Sequence, residues 1–80
     1  MYLGWYDPDK KKAAGSKLAD AIARYERKWG KAPSVALMNA GDVIQLTDDV
    51  GVEVRAAAHV APNTFFVGDD DDVEVALSAA

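Results

Sequence analysis

The sequence predicts an α+β fold in which one amphipathic helix packs on a small mixed sheet of four or five strands, ordered β-α-β and then an antiparallel meander. Three observations carry that expectation. Ala14, Leu18, Ala21, Ile22, Tyr25 and Trp29 recur at steps of three and four residues, which gathers them on one stripe of a helix. Ser34 to Asn39 (SVALMN) is a short and nearly all-apolar run, as in a strand buried on both faces. Apolar residues at Val52, Val54, Ala56, Ala58 and Val60 alternate with Glu53, Arg55, Ala57 and His59, the period of a half-buried strand.

The elements follow in chain order. Tyr2 to Tyr6 is short, aromatic and bounded by Asp7 and Pro8, which reads as a strand. Asp7 is placed as a helix N-cap and Pro8 as a residue whose missing N–H does no harm, so the helix is expected from Pro8 to Trp29. Gly30 then caps the C-terminus, Arg27 and Lys28 suit the negative end of the dipole, and Pro33 prevents continuation. Gly15 is the weak point, because glycine inside a helix costs about 1 kcal/mol relative to alanine. After the strand at Ser34 to Asn39, the segment Ala40 to Leu46 fits a short helical turn better than a strand, although both patterns are present. Thr47 to Gly51 is a polar turn. Val52 to Val60, Thr64 to Val67 and Val73 to Leu77 then form the expected meander, broken at Ala61-Pro62-Asn63 and at Gly68 with the four aspartates after it.

Composition bounds what such a domain can do. Half of the 80 residues are hydrophobic, but 15 of these are alanine, so one thin-cored domain over residues 1–80 is expected. The chain contains no cysteine, which excludes a disulfide framework, a thiolate metal site and a thiol nucleophile. No apolar run reaches membrane-spanning length, and MYLGWYDPDKKK places its aromatics before its lysines, unlike a secretory leader. A cytoplasmic location is the default expectation. The net charge of −4 conceals a polarity: eight of the nine basic residues lie at or before Lys31, whereas nine of the thirteen acids lie after it. That asymmetry suits a complementary partner or self-association, and the overall acidity disfavours nucleic acid.

Two surfaces qualify as candidate sites. If Leu3 and Trp5 face the helix, Tyr2 and Tyr6 face away from it, with Arg55 and His59 if their strand is oriented likewise. One of Phe65 and Phe66 must join them, because neighbours in a strand point to opposite faces; the sequence leaves open which of the two faces the core, and Phe66 is carried as the candidate. With one helix covering one side, nothing else in the chain is long enough to cover the other, so Tyr6, Arg55, His59 and Phe66 form an open aromatic and charged platform. Such a platform can dock a protein, seat a second copy or stack single-stranded bases. The second surface is a helical row of Lys10, Lys17, Arg24 and Lys28, spaced to track phosphates. Against it stands the ordinary charged outer face of an amphipathic helix, with Asp20 offsetting Arg24.

Other chemistry finds little support. Asp69 to Asp72 with Glu74 offers oxygen ligands, but the spacing departs from the twelve-residue calcium loop, and a solvated turn that protects a strand edge is expected instead. Asp48 and Asp49 add nothing to that. His59 is the single histidine and has no nucleophile or second acid–base group near it in sequence, so no catalytic residue is assigned. No metal or cofactor is expected.

The pattern Trp5-Tyr6-Asp7 with Lys11-Lys12, then Tyr25, Trp29-Gly30 and Pro33, then Gly51-Val52-Glu53-Val54-Arg55 and Phe65-Phe66-Val67-Gly68 resembles a group of short stand-alone bacterial proteins of uncharacterised function. The likeness spans residues 5 to 68 and implies a free-standing prokaryotic domain, with no activity carried across. The functional expectation is therefore a small non-enzymatic interaction module, self-associating or docking on another protein. The alternatives are a single-stranded nucleic-acid binder and a small enzyme or metal-dependent subunit.

Overall fold

The computed structural model describes residues 2–47 and 49–70. In chain order they form β1 (Tyr2–Tyr6), α1 (Ala14–Trp29), β2 (Val35–Met38), α2 (Ala40–Ile44), β3 (Glu53–Ala56) and β4 (Thr64–Gly68). The four strands make one mixed sheet in the order β1-β4-β2-β3. One main helix and one short one accompany it, the α+β class the sequence predicts. No helix of the described residues is long and apolar enough to cross a membrane.

The long helix starts six residues later than Asp7 and Pro8 suggest. Asp7 instead accepts a hydrogen bond from the Asp9 N–H (3.0 Å), and Asp9 accepts one from the Lys11 N–H (2.9 Å). These local turns compete with capping, and three consecutive lysines would crowd positive charge onto the positive end of the helix dipole. Ala13 therefore occupies the N-cap position without a side-chain cap. The other end follows expectation: Gly30 adopts φ 73°, and its N–H closes on the Glu26 carbonyl at 2.7 Å.

Five of the six stripe residues of α1 join the core against the sheet, and Ala14, at the start of the helix, is also buried. Leu18, Ala21 and Tyr25 are fully buried with Ala36, Met38, Phe65 and Val67, and Leu3, Trp5, Ile22, Trp29 and Val54 pack around them. Each large apolar side chain buried this way, such as Leu18 or Phe65, contributes roughly 1.5–3 kcal/mol. β2 is buried along its whole length, as its all-apolar run requires.

The second half pairs differently from a meander. β3 runs parallel to β2 across α2, and β4 enters antiparallel between β1 and β2. β1 and β2 are thus parallel in direction, as a β-α-β unit demands, without being neighbours. The alternation from Val52 to Val60 gives a strand only to Ala56. Beyond it Ala57 and Val60 fold back and pack on Val35, Leu37 and Phe66. Three consecutive alanines have little preference for a strand, so packing decides their path. The expected strand at Val73 to Leu77 lies outside the described residues.

A polar knot holds that path. Asn63 sits at φ 65°, donates its N–H to Asp42 (2.7 Å) and accepts from Lys17 Nζ on its side-chain oxygen (2.9 Å). Its carbonyl accepts from the Asp7 N–H at 3.0 Å. Asn39 caps α2 through the Gly41 N–H and donates its side-chain amide to the Val60 carbonyl at 3.0 Å.

Two buried groups, Trp5 Nε1 and the Tyr25 hydroxyl, are left without a hydrogen-bond partner among the described residues. Tyr25 is 0 % exposed, yet its hydroxyl makes no hydrogen bond among the described residues. Burial, with the Asp69 carboxylate nearby, raises its pKa above the ordinary 10.0. Tyr25→Phe keeps the ring beside Trp29 and removes the orphan hydroxyl. Its stability in urea should be unchanged or higher by up to about 1 kcal/mol. The sign of the pH effect follows from linkage: above the unfolded tyrosine pKa the unfolded chain ionises while buried Tyr25 stays neutral, so the wild type loses stability as pH rises through that range. Tyr25→Phe should lose less there.

Candidate functional site

Register assigns each face of the sheet. Tyr2 lies opposite Gly68, which lies opposite Val35, which lies opposite Glu53; Gly4, Phe66, Leu37 and Arg55 form the next rung, and Tyr6 pairs with Thr64. These residues occupy the face away from α1. Phe66 therefore faces away from the helix and Phe65, fully buried, faces it.

That second face is covered at its centre, and its apolar exposure lies on the β1 side. Val35 and Leu37 are buried, and Ala57 and Val60 pack against them, so the expectation that nothing in the chain covers this face is corrected. The turn following β3 does so in part, because its small apolar residues gain more by lying on the sheet than by extending it. Tyr2 and Tyr6 remain 46 % and 66 % exposed. The Phe66 ring lies over Gly4, where a Cβ would come within 3.3 Å of Cε1, and its centroid is 6.3 Å from that of Tyr2 at 51°. Glycine at this position leaves room for the ring, and the result is a strip of three aromatics along the β1 side. Ile44, the other strongly exposed large apolar residue described, stands apart on α2.

The four predicted platform residues are thus split. Tyr6 and Phe66 sit on neighbouring strands. Arg55 lies on the far strand β3 and grips Asp70 with both Nη atoms (2.7 and 3.0 Å), while its Nε donates to Glu53. The hydrogen bonds from Arg55 hold the Asp70 carboxyl below its usual range. His59 is exposed, but on the turn after β3 rather than on a strand, a consequence of β3 ending at Ala56.

The basic helix row also changes. Lys17 leaves it: the side chain is buried at 4 % exposure and spent on Asn63, so it does not track phosphate. Lys10 precedes the helix. Arg24 and Lys28 remain exposed, and the Lys28 ammonium stands 4.9 Å above the Trp29 ring. Arg24 instead joins Trp5, Asp20, Ala23 and Arg27 around a cleft of about 480 Å³ between α1 and β1. Lys12 reaches Asp20 from the loop before α1, and this hydrogen bond raises the lysine pKa.

Two features escaped the sequence reading. Neither the knot of Lys17, Asn39, Asp42 and Asn63 nor the edge position of β1 was anticipated. The Pro62-Asn63 dipeptide and Asn39 before a helical turn were signals for part of the knot. Strand order left no local trace. Of the aspartate run, Asp69 faces Lys31 (3.5 Å) and Asp70 serves Arg55, while Asp71 and Asp72 lie outside the described residues. Comparison of the chain with known protein families, curated proteins and solved structures finds no match.

Proposed function

We propose that the chain is a small non-catalytic interaction module that self-associates or docks on another protein through β1 and the aromatic strip beside it. The observation that carries this reading is the contrast between the two sheet edges. β1 is an edge strand of five uncharged residues that begins and ends with exposed Tyr2 and Tyr6. β3, the other edge, carries Glu53 and Arg55. Natural sheets protect free edges with charge, and an uncharged aromatic edge invites an added strand.

A nucleic-acid strand laid on the same rings would need cations close by. Lys17 is buried and Arg55 is engaged with Glu53 and Asp70, which favours a protein partner. Sedimentation velocity from about 1 to 100 µM tests the reading, because association must follow mass action. The wild type should sediment above 8.6 kDa at the upper end, and Tyr6→Glu should return it to the monomer. A wild type that remains monomeric throughout removes self-association, and a labelled single strand that binds more tightly at low salt would favour the nucleic-acid alternative instead.

A further inference from the structure

We propose that the cleft between α1 and β1, an edge strand among the described residues, seats a second copy of this chain about a twofold axis at Gly4, with Asp20 of each copy pairing with Arg27 of the other. The proposal rests on the reading of β1 as the docking strand and names its occupant. Two linked features of the strand and one of the helix fit a single twofold axis.

The first is the backbone. The Asp7 N–H bonds to the Asn63 carbonyl one step beyond the Tyr6–Thr64 pair, so Asp7 turns its polar groups toward the β4 side. In an antiparallel ladder that direction alternates, so Leu3 and Trp5 also turn inward while Tyr2, Gly4 and Tyr6 turn their N–H and C=O groups outward. Antiparallel pairing centred on Gly4 sets Gly4 against Gly4 and Tyr2 against Tyr6, closing about six backbone bonds in three pairs.

The second is the side chains of the same strand. Tyr2 meets Tyr6 of the second copy on the open face, and Leu3 meets Trp5 on the helix face. Aromatic cross-strand pairs are favourable in both positions.

The third is the helix. Asp20, Ala23, Arg24 and Arg27 line the cleft with Trp5. A twofold axis passing between Ala23 and Arg24 makes the two helices antiparallel and brings Asp20 of one opposite Arg27 of the other, twice. The seven-residue step spans about 10 Å of helix and Tyr2 to Tyr6 about 13 Å of strand, and Trp5, next to Gly4, lines the cleft with Ala23 and Arg24, which brings the two centres side by side. Lys12 occupies Oδ2 of Asp20, and Oδ1 has no partner among the described residues. Ala23 at the axis admits the neighbouring helix. Among the described residues, pairing consumes both uncharged edges and leaves the charged β3 edges outside, which disfavours growth beyond two copies.

The test uses charge reversal in the full chain, read by sedimentation equilibrium. Asp20→Arg and Arg27→Asp should each weaken the dimer by about tenfold or more, and an equimolar mixture of the two should recover a one-to-one heterodimer. Ala23→Cys, the sole cysteine in the chain, should oxidise to a covalent dimer. If a single reversal loses its helical circular dichroism, the doubly reversed chain decides: dimer supports the pairing and monomer overturns it. Dimers unaffected by either reversal, with no cross-link through Ala23→Cys but dissociation by Tyr6→Glu, overturn the twofold arrangement and leave β1 docking intact. A wild type that never dimerises overturns this proposal, while docking of another protein on β1 is judged separately.

Discussion

Asn63→Ala is expected to destabilise the protein by about 3 kcal/mol, combining two separate losses. Asn63 adopts φ 65°, a left-handed conformation that asparagine tolerates and alanine adopts at a cost of roughly 1–2 kcal/mol. Its side-chain oxygen also receives Lys17 Nζ, and removing it leaves a buried ammonium without that partner, worth roughly 1–3 kcal/mol. Urea denaturation of a short series separates the terms. Asn63→Gly relieves the backbone and keeps the unpaired lysine, so it should lose less than Asn63→Ala. Adding Lys17→Met to Asn63→Gly removes the orphan charge and should regain part of the loss. If Asn63→Gly and Asn63→Ala are equally destabilised, the backbone conformation contributes nothing. With total stability of order 5–15 kcal/mol for small domains, losing the knot takes a large share of what holds β3 and β4 in their places.

Lys17 also shows where sequence reasoning stops. On a helical wheel it lies beside Arg24 and Lys10, and nothing within a turn of it predicts burial. Its partner is 46 residues away, in a loop whose course depends on that contact. What could be read was local: the stripe of α1, its Gly30 cap, the doubly buried β2 and the helical turn at α2 each follow from residues within one element. Asp7 misled for a related reason, since the same carboxylate that caps a helix also closes a tight turn, and the lysines that follow tip the choice. Strand order was beyond reach because α2 and the loop after β3 decide which edge receives which strand. The aromatic side of β1 was foreseen from alternation, whereas the covering of the remaining face by Ala57 and Val60 was not.

Phe65 and Phe66 put the face assignment to its sharpest test, because sequence symmetry leaves them equivalent and the fold does not. Phe65 is 0 % exposed between α1 and the sheet, among Leu18, Tyr25, Met38 and Val67. Phe65→Ala should cost about 3–5 kcal/mol, a large share of the roughly 5–15 kcal/mol that holds a small domain folded. Phe66 is half-buried on the opposite face, over Gly4 and beside Tyr2. A ring that already contacts water on one side loses less, and Phe66→Ala should cost about 1–2 kcal/mol. The two variants should also differ in kind. Phe65→Ala should reduce the unfolding midpoint and the helical circular dichroism of α1, whereas Phe66→Ala should keep the helix and weaken association through the β1 strip. Because side chains alternate, a one-residue slip of β4 would exchange the two outcomes, so finding Phe66→Ala the more damaging to folding would overturn the register on which both the core and the docking surface depend.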